Sequence, residues 1–242
     1  VQRPWPAAEV ATATEAGGAA PPVPARFTLG PVQNPVRGTL HGSAALVCLG
    51  LAAGALELPP GVAGGDRVVL AVLAASHAAL FAVSALYHSV PWTAPWKRRV
   101  QRIDHTMIYV KIAGTLTALA WVALEGSAQV ALVGAAWGIA AAGAAQTLFY
   151  PALPERASMP LQLFQASLAI PALAALAASE GGGAQPWLLA GPLCYGTGAV
   201  VFLTERPRLW PRVFSFHELF HVLVVVGSAA TTLVVLRVLA GS

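Results

Sequence analysis

The chain has 242 residues, 57% of them hydrophobic and only 10% charged. Soluble domains carry about 25% charged residues, so the composition excludes a water-soluble fold and points to an all-α, polytopic membrane protein. The net charge of +4 does not indicate nucleic acid. The cations cluster beside apolar segments, as topology signals do, and no aromatic-basic interleaving accompanies them.

Residues 1–33 are Ala, Pro, Val and Glu without a compact apolar core. A stretch such as Pro21-Pro22-Val23-Pro24 buries too little surface to fold, so a disordered cytoplasmic tail is expected there. Residues 34–242 then form one transmembrane domain. A span needs about 20 apolar residues, and seven segments qualify: Thr39–Leu56, Val68–Val90, Ile103–Ala123, Ala128–Tyr150, Leu161–Ala178, Trp187–Thr204 and Val213–Leu239. Turn chemistry separates them, including Pro59-Pro60-Gly61, Pro91 with Pro95, Glu125-Gly126-Ser127, Gly181-Gly182-Gly183 and Pro207 with Pro211. Cys48 and Cys194 both lie inside apolar segments and read as small packing residues. Gly134 and Gly138 fit the small-xxx-small pattern, expected to serve packing within the monomer.

Lysine and arginine set the orientation. Eleven lie on one side: Arg3, Arg26, Arg37, Lys97, Arg98, Arg99, Arg102, Arg156, Arg206, Arg208 and Arg212. Only Arg67 and Arg237 lie on the other. This asymmetry places the N-terminus in the cytoplasm and makes the stretch Lys97–Arg102 a cytoplasmic loop.

Ionisable side chains in a bilayer are costly and usually face the bundle interior. The topology puts His88 in the last cytoplasmic turn of span 2, with Ser84 one turn deeper on the same face. Asp104 falls in the first turn of span 3. His217 and His221 lie one and two turns into span 7, stacked as i and i+4. All five sit at one depth although they come from three distant segments. Three imidazoles at one depth match a zinc site with an open position. The expected ligands are His88, His217 and His221. Asp104 would hold the metal's water or act as a base, and Ser84 would position that water or a substrate oxygen. Three imidazoles favour zinc, copper, iron or nickel over calcium or magnesium.

Other polar residues extend the pattern. His77, Lys111 and Thr115 fall on the faces of His88 and Asp104, deeper in the bilayer, and suggest a polar cavity running inward. For His77 alone, a hydrogen bond to a backbone carbonyl is the simpler expectation. His105 points about 100° from Asp104 and reads as interfacial. His41 lies at the cytoplasmic start of span 1, a peripheral candidate. His217-Glu218-Leu219-Phe220-His221 is also an H-E-x-x-H pattern, so an intramembrane metalloprotease with Glu218 as base is one rival. A sensor or receptor with a structural zinc tying spans 2, 3 and 7 together is another. A transporter would favour broken helices and inverted repeats, and neither is evident.

Ser84-x-x-x-His88, the basic stretch with Asp104-His105, and His217-x-x-x-His221 in the last span together resemble the hemolysin III family. That family lies within the progestin and adipoQ receptor superfamily, which includes the adiponectin receptors. The resemblance covers residues 37–240. It implies seven helices with a cytoplasmic N-terminus, zinc held by His88, His217 and His221, and Asp104 and Ser84 at water-holding positions. It further implies ceramidase-like hydrolysis of a lipid amide, a role in membrane lipid homeostasis, membrane lipids as partners and a place in the bacterial inner membrane. Two departures stand out. Arg37-Gly38-Thr39-Leu40-His41-Gly42 lacks the family's preceding Glu, and Gly114-Thr115-Leu116-Thr117-Ala118 replaces Gly-Thr-Tyr-Thr-Pro.

Overall fold

A computed structural model describes residues 35–57, 63–150, 158–179, 186–210 and 214–241. The tail expected over 1–33 lies outside them. The described residues form eight helices: α1 Pro35–Leu56, α2 Gly64–Ser89, α3 Ala94–Ala123, α4 Gly126–Phe149, α5 Met159–Ser167, α6 Ile170–Ser179, α7 Pro186–Thr204 and α8 Phe216–Gly241. Together α5 and α6 make the fifth of seven spans long and apolar enough to cross a membrane. The fold is an all-α bundle, and large apolar side chains such as Leu46, Val130 and Leu193 cover its outside.

Three boundaries differ from the expected ones, each for a local reason. Helix α3 begins at Ala94, nine residues early, so the basic stretch Lys97–Arg102 is helical and not a loop. Pro95 sits in the first turn, where its missing N–H would have no helical partner. Asp104 is therefore well inside α3 and not in its first turn. The fifth span breaks at Leu168 and Ala169. Pro171 has no N–H to give the carbonyl of Ser167, and its ring crowds that carbonyl. Helix α8 starts at Phe216, which moves His217 into the first turn. Its start is capped by Glu218, whose Oε2 accepts the backbone N–H of Ser215 at 2.8 Å. This is half of a Ser-x-x-Glu capping box.

Helices adjacent in sequence pack as α1–α2, α2–α3, α3–α4 and α7–α8. The bundle closes where α8 meets α1, α2 and α3. Small residues permit the close approaches. A Cβ on Gly114 would strike Ser76 of α2, and one on Gly143 would strike the ring of Tyr109. Tyr109 is fully buried, and its hydroxyl donates to Ser158 O at 3.0 Å. Gln165, also fully buried, donates to the carbonyls of Tyr109 at 3.2 Å and Ala136 at 2.9 Å. These bonds pin α5 to α3 and α4. Gly134 and Gly138 do not pack inside the monomer as expected. Both are exposed, with nothing near their Cβ positions, because Ala136 and Ala140 take the inward face of α4.

The layout matters for function in one way. Helices α1, α3 and α8 begin, and α2 ends, at the end of the bundle that carries Lys97–Arg102. Side chains from all four therefore meet there.

Candidate metal centre

His88 closes α2, and His217 and His221 stand one above the other at the start of α8. One ligand nitrogen from each of the three lies within 4.8 Å of the others. The ring centroids are 5.4 Å apart for His88–His217, 5.1 Å for His88–His221 and 4.8 Å for His217–His221. His88 and His221 are buried and His217 is half-buried. The expected trio has assembled from helices more than a hundred residues apart in sequence.

The donor set tests well against a metal. His221 Nε2 is buried and has no hydrogen-bond partner. An unsatisfied buried nitrogen costs about 1–3 kcal/mol, and a cation at the centre of the trio relieves that cost. Three imidazoles are thus able to hold a metal ion, and their softness suits zinc and its transition-metal neighbours.

Helix α1 supplies two residues behind the trio. His41 is 2% exposed, and its Nε2 lies 2.8 Å from His221 Nδ1. Its ring meets that of His221 edge-on at 4.1 Å between centroids and leans on Phe81 at 5.0 Å. If His221 Nδ1 donates to His41, the lone pair of His221 Nε2 is left for a metal. The partner on one ring nitrogen sets the tautomer at the other. One turn before His41, Arg37 Nε donates to Glu218 Oε1 at 2.6 Å. Glu218 thus has one oxygen on Arg37 and the other on the Ser215 N–H. The two residues Arg37 and His41, four apart on α1, meet Glu218 and His221, three apart on α8. His41, a peripheral candidate in the sequence, is central here. Arg37 was visible there as a topology charge and as the start of the Arg37–Gly42 box, with no site role assigned.

Asp104 is buried, and its carboxyl is hydrogen-bonded by Ser84. Its Oδ1 is buried without a partner. Asp104 is not in the close histidine group, but it lines the same cavity as all three histidines. That cavity has a volume of about 2100 Å³. Its basic end carries Lys97, Arg98, Arg102 and Arg208, and its far end is walled by apolar side chains such as Leu119, Leu188 and Val234. One wall comes from α5 and α6, which lean on α3 and α4. Another comes from α7, which leans on α8. His105 is half-buried and lines the cavity near its basic end, so it is not merely interfacial.

The deeper polar residues divide. Lys111 and Thr115 line the cavity. His77 does not; it stands behind Thr115, with its Nε2 3.2 Å from Thr115 Oγ1, a side-chain hydroxyl in place of the backbone carbonyl expected. Tyr195 joins Lys111 from α7, where no sequence pattern singled it out.

A family model described as haemolysin-III related matches residues 30–232. The chain belongs to this family, which lies within the progestin and adipoQ receptor superfamily. Two curated relatives agree. A hemolysin-3 homolog of Bacillus subtilis (strain 168) is 29% identical over 165 residues, covering 68% of this chain and 74% of that protein. Hemolysin-3 of Bacillus cereus is 29% identical over 162 residues, covering 67% and 71%. Seven apolar helices and these bacterial relatives make the haemolysin-III related chain an integral membrane protein of the bacterial plasma membrane.

Proposed function

We propose that this haemolysin-III related protein is a zinc-dependent hydrolase of lipid amides, with its site near the cytoplasmic face and a role in membrane lipid homeostasis. The observation that carries the reading is the meeting of three groups at one cavity: a trio of imidazoles, a buried carboxylate with a free oxygen, and an apolar chamber. His88, His217 and His221 would hold the ion. Zinc, when bound, would supply Lewis acidity and a water made acidic near neutral pH.

The chain's own residues do the rest. His41 orients His221 by its hydrogen bond. Ser84 donates to one oxygen of Asp104 and fixes the carboxylate plane. The unpartnered Oδ1 of Asp104 takes a proton from the attacking water and returns it to the leaving amine. The apolar walls hold the acyl chain away from water, and the cations of the basic end face the lipid headgroup. Glu218 is not the base of an H-E-x-x-H protease in this reading, because Arg37 and the Ser215 N–H already occupy both of its oxygens.

The test is release of fatty acid from ceramide-like and other acyl-amide lipids by purified, metal-loaded protein. Chelator-sensitive release supports the reading. No release from well-folded protein with full metal content favours a second reading, a sensor or receptor. There the same ion would be structural, tying α2 to α8 as the positions of His88 and the His217–His221 pair allow.

A further inference from the structure

Lys111 is the buried cation that the hydrolytic reading leaves unused. It is 4% exposed on α3, inside a segment that crosses the membrane. Its Nζ donates to the hydroxyl of Tyr195 and lies 3.6 Å from the centroid of that ring. The Tyr195 hydroxyl is 3.1 Å from Ser228 Oγ, which itself donates to Val224 O at 2.8 Å. Its other titratable neighbours are the Cys48 thiol and the His77 ring. Among the described residues no carboxylate pairs with it. A buried lysine in a membrane normally pairs with an acid or faces a ligand path. Lys111 has no acid, and with Tyr195 and Thr231 it lines the cavity.

Two helices measure the depth of this group independently. Lys111 is seven residues beyond Asp104 on α3, and Ser228 is seven beyond His221 on α8. Both helices start at the basic end. At 1.5 Å per residue each ruler gives about 10.5 Å. The cavity therefore has two polar stations, one at the histidines and one at Lys111, with apolar wall beyond the second.

We propose that Lys111, held in place by Tyr195, recognises a carboxylate carried on the bound chain about 10 Å from the group held at the histidines. The inference rests on the reading that the cavity takes a chain-bearing amphiphile, but not on turnover. The missing counter-charge selects an anion over a hydroxyl, because only an anion compensates the charge of the buried ammonium, which is costly to leave unpaired. Three donors on the amine, with one spent on Tyr195, leave two for the two oxygens of a carboxylate.

The experiment is equilibrium binding to metal-loaded protein in nanodiscs. Its probes are a medium-chain α,ω-dicarboxylate, the monocarboxylate of equal chain length, and the corresponding hydroxy acid. Wild-type protein should bind the dicarboxylate about tenfold more tightly than the monocarboxylate, and Lys111→Met should bring the ratio to about one. Lys111→Arg, which keeps the charge, should retain the preference. Equal binding of the two acids by wild type, a preference that survives Lys111→Met, or a hydroxy acid as tight as the dicarboxylate would each overturn the proposal. If Lys111→Met does not fold, Tyr195→Phe decides: a reduced ratio supports the subsite and an unchanged one rejects it. The triple change of His88, His217 and His221 to Ala separates the two readings. Monocarboxylate binding that persists there and is lost on adding Lys111→Met supports the Lys111 station even if no hydrolysis is found. Loss of all binding in the triple variant places recognition at the histidines and rejects the station.

Discussion

His41 Nε2 stands 2.8 Å from His221 Nδ1, so the first span holds the ring that the last span offers to a metal. With His221 Nδ1 as donor, the bond sets both the tautomer that frees Nε2 and the tilt of the ring. Partners of this kind typically contribute 10–100-fold in metal affinity. His41→Ala should therefore weaken metal binding by about that factor without removing a ligand. Competition against a graded series of chelators measures it. Affinity unchanged in a folded His41→Ala protein would mean that the contact orients nothing.

The neighbouring rung, Arg37 to Glu218, is a buried ion pair with side-chain exposures of 12% and 9%. Removing one partner of such a pair leaves an uncompensated charge and costs about 3–5 kcal/mol. Arg37→Met and Glu218→Gln should each destabilise the bundle. The double variant should lose less than the sum of the two, as read by reversible unfolding in mixed detergent. Metal content should survive Glu218→Gln, and so should a hydrolytic rate measured on folded protein. Loss of all hydrolysis with metal and fold intact would restore Glu218 as the base.

Asp104 and Ser84 give a separable pair of effects. Asp104→Asn keeps the shape but removes the proton acceptor, and general-base removal typically costs 10²–10⁴-fold in rate. Release of fatty acid should fall by about that much while metal content stays at the wild-type level. Ser84→Ala should have the smaller effect, because it loosens the carboxylate without removing it. If Asp104→Asn empties the site of metal, Asp104 is a ligand, and the water-holding role is wrong.

Close packing of α2 on α3 yields a stability prediction. Any side chain at Gly114 meets Ser76. Overpacking of this kind costs about 1–3 kcal/mol. Gly114→Ala should lower the melting temperature in detergent, and a second change, Ser76→Gly, should restore part of the loss.

Much of this was legible in the residues, for physical reasons that also explain the exceptions. Seven spans follow from hydropathy, since no shorter pattern satisfies the backbone in lipid. The histidine trio follows from the i, i+4 stacking of His217 and His221 and from the shared depth of His88. The early start of α3 did not follow, because an apolar window ends at the charges while Lys and Arg are good helix formers. The break before Ile170 is written in Pro171, which an average over 20 residues conceals. The rung of Arg37 and His41 depends on how α1 is rotated against α8. Only packing decides that, although the spacing of four on α1 hinted at a shared face. The outward turn of Gly134 and Gly138 was hidden for the same reason: alanines two residues away fill the inward face equally well.

The measurement that bears most directly on the account is the metal content of purified protein, wild type beside His88→Ala and the double change His217→Ala with His221→Ala. The account predicts about one zinc per wild-type chain, and loss from both variants with the helical bundle intact, because α2 and α8 share one three-ligand site. Zinc kept by His88→Ala but lost with the α8 pair would contradict the shared site. Absence of any transition metal from all three folded proteins, even after incubation with zinc, would contradict the metal centre altogether.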